Sequence, residues 1–186
     1  IRRLVLPQNR EDLCGRDLAA EQRRDHKTTH NGTTRLLTAN MPLPDFHADG
    51  ERPPGVHRAS WNEVLSRFGG GVGQREVCTR RLAHVYELAK RTGCLKRLVI
   101  FGSYVTAKRE PNDVDVILIM DDIFRLENCP MESRGLFDHP VAQARHGASV
   151  FWIRPALLIG ESVEEFILFW QVKRGGGKRG IVDVIL

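Results

Sequence analysis

The sequence predicts an α+β chain, a small mixed β-sheet with helices packed on it, and three observations carry that expectation. Two compact apolar runs, Leu98–Phe101 and Asp113–Met120, are short enough for buried strands and are separated by a polar linker. A longer segment, from about Val72 to Thr92, repeats its apolar residues at three- and four-residue steps, the period of a helix. Turn-forming glycines then alternate with further strand-like and helix-like stretches down to Leu186, and no internal repeat is visible.

Residues 1–40 differ in character from the rest of the chain. They carry the charge cluster Arg23-Arg24-Asp25-His26-Lys27 and a polar run from Thr28 to Thr34, with too little apolar surface to offset the entropy of ordering. They are expected to be a disordered tail or translated upstream sequence, with a basic arm as the rival reading. Residues 41–186 are expected to form one folded unit.

Within that unit, Met41 to Gly55 is rich in Pro, Gly and Asp and reads as an extended lead-in. Ser60-Trp61-Asn62-Glu63 has the spacing of a capping box, opening a short helix to Phe68 that Gly69-Gly70-Gly71 stops. On the next helix Val77, Cys78, Leu82, Val85, Leu88 and Ala89 form the apolar stripe. Arg75, Arg80, Arg81, Lys90 and Arg91 are read as its solvated face, and Gly93 as its stop. Gly147–Ile153 is a third strand candidate, and Ser162-Val163-Glu164-Glu165 a second capping box opening a helix to about Trp170. The glycine-rich Val172–Ile181 stretch predicts a C-terminal β-hairpin.

The bulk numbers narrow the classes of partner. The net charge is +5, but residues 1–40 hold eight Lys/Arg against five Asp/Glu, which leaves 20 against 18 for the remainder. A body so nearly balanced has no compulsory polyanion partner, so nucleic acid is only weakly supported. No stretch approaches the roughly 20 apolar residues of a membrane span, and a cytoplasmic location is the expectation. Cys14, Cys78, Cys94 and Cys129 stand too far apart for paired zinc ligands and are read as reduced thiols.

The chemistry is concentrated between Leu98 and Asp122. Phosphoryl or nucleotidyl transfer needs backbone amides and cations brought close to phosphate oxygens. Gly102, at the end of a strand, has no side chain to block that approach, and Ser103 adds a hydroxyl. Strand residues two apart share a face, so Asp113 and Asp115 converge. Two convergent carboxylates call for a cation, and Mg²⁺ shared with substrate phosphates is the expected one. The bland alternative makes Gly102-Ser103 a simple turn, Asp113 a loop cap and Asp115 the partner of a lysine. It leaves a carboxylate inside the apolar strand Val114–Met120, which is costly without a partner.

Gly102-Ser103, nine intervening residues, then Asp113-Val114-Asp115 resembles the motif of the DNA polymerase β-like nucleotidyltransferase superfamily. GSYVTAKREPNDVDV from Gly102 and FWQVKRGGGKRGIV from Phe169 further resemble short uncharacterised bacterial proteins carrying a minimal form of that fold. The resemblance implies transfer of a nucleoside monophosphate from an NTP to an acceptor hydroxyl, including one on a partner protein. Chains this small also resemble the antitoxin half of bacterial toxin–antitoxin pairs. It implies Asp113 and Asp115 as catalytic metal ligands and Gly102 and Ser103 as nucleotide contacts. Lys108, also read as a nucleotide contact, and Arg109 lie between Ser103 and Asp113 within reach of the distal phosphates, with a solvated loop as the favoured rival reading.

Active members of that superfamily use a third carboxylate from a neighbouring strand. The strand His146–Ile153 contains no acid, and Ser149 stands where one is expected. Asp183, on the final expected strand, is a weak substitute. The alternative function is therefore a catalytically inactive binding module, antitoxin-like or regulatory. His139 and His146 are read as surface or packing residues, Trp152 and Trp170 as core, and the Lys173–Arg179 tip as a charged turn rather than a phosphate loop.

Overall fold

The computed structural model describes residues 42–173 and 175–186. The tail expected over residues 1–40, with Cys14, lies outside the described residues. Five strands form one mixed sheet: β1 (Gly55–Ser60), β2 (Leu95–Phe101), β3 (Val114–Met120), β4 (Ala148–Ile153) and β5 (Gly180–Ile185), in the order β1-β5-β2-β3-β4. The outer pairs β1/β5 and β3/β4 run parallel, while β2 is antiparallel to both β5 and β3. The helices are α1 (Trp61–Phe68), α2 (Gln74–Lys90), the single turn α3 (Met131–Arg134), α4 (His139–His146) and α5 (Val163–Phe169). The α+β expectation holds.

The sheet separates two apolar layers. On one face Leu98, Ile100, Val116, Leu118, Val150, Val182 and Val184 pack with Cys78, Leu82 and Val85 of α2 and with α1 and α4. On the other, Val99, Ile117, Ile119 and Ile181 lie under Phe166 and Ile167 of α5. β3 is covered on both faces, which is why its sequence is a continuous apolar run rather than an alternation. Asp115 is the exception in that run. No helix among the described residues is long and apolar enough to cross a membrane.

The caps follow the sequence closely. Ser60 Oγ accepts from the Glu63 amide at 3.2 Å, but the Glu63 carboxylate accepts from the Leu43 amide at 2.7 Å instead of returning to Ser60. Half of that capping box therefore ties down the lead-in. The Ser162 box is complete, with Glu165 Oε2 accepting from the Ser162 amide at 2.8 Å and the Glu165 amide donating to Ser162 Oγ at 3.2 Å.

Three expectations are corrected. The lead-in does not run straight into α1: residues from Gly55 form β1, an edge strand in which only Ala59 is fully buried, so its apolar signal is faint. The stretch between Cys129 and β4, to which the sequence reading assigns no element, is largely helical. It holds α3 and α4, the latter capped by Asp138 Oδ1 on the Val141 amide at 3.1 Å and ended by left-handed Gly147. The C-terminal hairpin is reduced to a glycine turn with one bridge, Val172 to Lys178, after which β5 enters the sheet between β1 and β2. At that turn Lys173 and Arg179 approach Glu51 at 3.7 and 3.6 Å, as a charged tip should.

Arg75 is a fourth correction. Read as solvated, it is buried, and its guanidinium donates to the carbonyls of Phe68 and Tyr104 at 3.2 and 3.1 Å, of Thr106 at 3.1 Å, and of Lys108. Burial lowers its pKa. Its outlets are loop carbonyls that have no partner within regular secondary structure.

Candidate functional site: an acid pair against a glycine bend

β2 ends at Phe101 and the chain turns through a 3-10 segment, Gly102–Val105. Gly102 has φ of 76°, and a Cβ there would stand 1.9 Å from Asp115 Oδ2 and 2.8 Å from its Cγ. The bend is thus laid directly on the Asp115 carboxylate, an approach open only to glycine. Ser103 Oγ accepts from the Asn112 amide at 3.2 Å, closing the linker back on the bend. Inside that closed loop Thr106 bonds the Ser103 carbonyl through its hydroxyl at 2.8 Å, and Arg75 gathers the carbonyls of Tyr104, Thr106 and Lys108. Tyr104 anchors it from below, fully buried with its hydroxyl 3.0 Å from Thr79 Oγ1.

The register fixes which side chains meet. Asp115 lies opposite Phe101 on β2 and opposite Ser149 on β4. Directly paired residues share a face, so Asp115 and Ser149 project together. Ser149 Oγ donates to Asp113 Oδ2 at 3.4 Å, which brings Asp113, one residue before β3, to that same face. Gly102, Asp113, Asp115 and Ser149 therefore converge at one end of the sheet, as the Asp-x-Asp spacing requires.

Lys108 is not brought to the acids. Its ammonium donates to Asn112 Oδ1 at 2.8 Å, and the side chain lines a groove of about 910 Å³ with Phe46, Arg67, Gly71 and Arg109 that neither aspartate borders. Asp183 is no substitute third acid either. It is one strand removed, across β2, and its carboxylate takes the Arg97 guanidinium at 2.8 Å. Among the described residues no group of three or more His, Cys, Asp or Glu side chains is placed to hold a metal.

The packing readings hold for the remaining residues. Trp152 Nε1 donates to the Phe137 carbonyl at 3.0 Å, and Trp170 packs among Phe101 and Phe151 with ring centroids at 4.9 and 4.5 Å. His139 Nδ1 lies 3.2 Å from the Val150 carbonyl, and His146 lies 5.2 Å from the ring of His84.

The donor set at the bend suits a hard cation: two carboxylates and a hydroxyl, with no sulfur or imidazole among them. Asp113 and Asp115 are the residues that could hold such a cation.

Sheet order and site together define a class: a small mixed-sheet α+β protein with an acid pair set against a glycine-serine bend. The chain belongs to the DUF6932 family, a family of unknown function, whose model matches residues 44–185. No curated protein and no solved structure matches the chain.

Proposed function

We propose that this chain binds an NTP with Mg²⁺ at the Gly102–Ser103 bend and transfers its nucleoside monophosphate to an acceptor hydroxyl, on a small molecule or a partner protein. The observation that carries the reading is Gly102 lying against the Asp115 carboxylate while Ser149 draws Asp113 to the same face. Asp113 and Asp115 would hold the cation, which when bound offsets phosphate charge. Backbone amides of the Gly102–Val105 turn are the donors for phosphate oxygens, and Ser103 keeps its hydroxyl proton to give, since it only accepts from Asn112. In the transfer, the acceptor oxygen bonds to the α-phosphorus, the α–β anhydride bond breaks and pyrophosphate leaves. The acceptor's proton passes to solvent, because the place of a third carboxylate is held by Ser149.

Incubating the chain with α-labelled ATP, Mg²⁺ and candidate acceptors tests this, beside an Asp113→Ala/Asp115→Ala control. Label transfer that the double substitution abolishes supports the reading. Transfer that survives it, or none with any acceptor, counts against it.

Ser149 also motivates a second reading, a nucleotide-binding module without turnover, antitoxin-like or regulatory. A serine is a poor base and adds no negative charge for a second cation. In that case a non-hydrolysable NTP binds in a Mg²⁺-dependent way while the labelling assay stays blank. A gain of transfer in Ser149→Asp would mark a lapsed enzyme.

A further inference from the structure

The groove that takes up Lys108 is a feature apart from the acid pair. It encloses about 910 Å³, a volume suited to a small molecule, and three segments line it. Phe46 and Arg67 come from the lead-in and α1, Arg75 stands behind the glycines that precede α2, and residues 106–110 of the linker complete the wall. Its charge is lopsided: Arg67, Arg75, Lys108 and Arg109 face a single acid, Glu110. Residues 41–186 carry 20 Lys/Arg against 18 Asp/Glu, so this one groove holds a larger positive excess than the folded body as a whole.

The partners of these cations leave much of that charge in place. Arg75 donates to neutral carbonyls, and the Lys108 ammonium to the neutral Asn112 amide oxygen at 2.8 Å. Arg67 pairs with Asp45 at 2.5 Å, but the Asp45 side chain is 91% exposed, and an ion pair so open to water is weak. A further guanidinium stands behind the groove. Arg52 and Arg67 lie 5.0 and 5.2 Å from the centre of the Phe46 ring. Arg52 is 1% exposed, and its Nε and Nη2 are buried without a hydrogen-bond partner among the described residues. Burial, then repulsion from Arg67, pulls its pKa down to about 10, with Glu63 and Asp45 opposing. Positive charge is therefore crowded against Phe46, and an anion in the groove would relieve it.

We propose that this groove binds the phosphate groups of a small anionic molecule, at a site separate from Asp113 and Asp115. Arg67 and Arg109 supply planar, paired donors for phosphate oxygens, and Lys108 supplies an ammonium. Arg75 remains on its carbonyls and contributes field rather than contact. The bound anion lies against the same linker that Ser103 and Asn112 close at 3.2 Å, so it rests on the loop that carries the bend. The inference stands without the nucleotide reading above.

The test is calorimetric titration of the full chain with inorganic tripolyphosphate in the presence of a metal chelator. The unaltered chain is compared with Arg67→Ala, Arg109→Ala, Arg80→Ala and Asp113→Ala/Asp115→Ala, each shown by thermal melting to fold. Loss of a charge-assisted contact should weaken Arg67→Ala and Arg109→Ala by roughly 10-fold each, leaving the other two unchanged. Because Arg67 packs on Phe46, Arg109→Gln and Lys108→Gln carry the comparison if Arg67→Ala fails to fold. A parallel titration with ATP separates the sources: matching sensitivity to Arg67 and Arg109 extends the site to a nucleotide's phosphate chain, and insensitivity confines it to free polyphosphate. No binding by the unaltered chain overturns the proposal. So does binding that the Arg67 and Arg109 variants retain in full, or that the double aspartate variant loses.

Discussion

Replacing Gly102 by alanine isolates the contact on which the site is built. Two costs arise and they are separable. Alanine at φ of 76° enters the left-handed region, which costs about 1–2 kcal/mol for a residue with a Cβ. The new methyl would also stand 1.9 Å from Asp115 Oδ2, so the carboxylate or the bend must move, at about 1–3 kcal/mol for overpacking of this kind. Gly102→Ala should therefore destabilise the fold by about 2–5 kcal/mol, lowering the melting temperature by several degrees. Adding Asp115→Ala removes the carboxylate atoms at 1.9 and 2.8 Å and leaves only the Asp115 Cβ at 3.2 Å, which a small shift accommodates. Urea denaturation of the two single variants and the double variant forms a cycle. The double variant should cost less than the sum of the singles by about the overpacking share. Additive costs, or a Gly102→Ala variant as stable as the unaltered chain, would show that the bend does not rest on Asp115.

Other consequences are equally open to measurement. Arg75→Met leaves four buried or half-buried loop carbonyls without their donor and should cost about 3–5 kcal/mol by urea denaturation, with Arg75→Lys recovering part of it. Ser162→Ala removes a complete capping box and should cost about 1 kcal/mol in the same assay. Burial, the neighbouring His84 and Arg145 lower the His146 pKa below its ordinary 6.5, so between the folded value and 6.5 the unfolded chain binds more protons. Stability should then decline as pH falls below about 6.5, level off below the depressed value, and lose that part of its pH dependence in His146→Gln. A His146→Gln chain with an unchanged pH profile would remove His146 from the account.

The bend and the acid pair are legible in the sequence because they are local. Two apolar runs, a glycine between them and alternate aspartates need no distant partner to be recognised, and the register then places Ser149 beside Asp115, where a third acid is expected. β1 is hidden for the opposite reason. Gly55–Ser60 is held by β5 alone, so almost no apolar residue marks it and its partner lies far along the chain. Arg75 shows a subtler failure. Its spacing to Cys78, Leu82, Val85 and Ala89 is that of the buried stripe, but its charge makes it read as solvated. Charge lost to geometry because backbone carbonyls, silent in a sequence, supplied its partners. Lys108 misleads in the same way: its place in the linker is plain, whereas its attachment to Asn112 depends on how the loop closes.

The position of β5 bears on how the molecule is assembled. As the ribosome delivers the chain from β1 onward, β2, β3 and β4 can associate early, but β1 has no strand to lie against until Gly180–Ile185 appear and slot between it and β2. The sheet therefore closes from its middle and late, by a long-range pairing of the slow kind. A message truncated before Gly180 would leave an orphaned β1 and the bare backbone edge of β2, which is an invitation to aggregate rather than a shorter working protein.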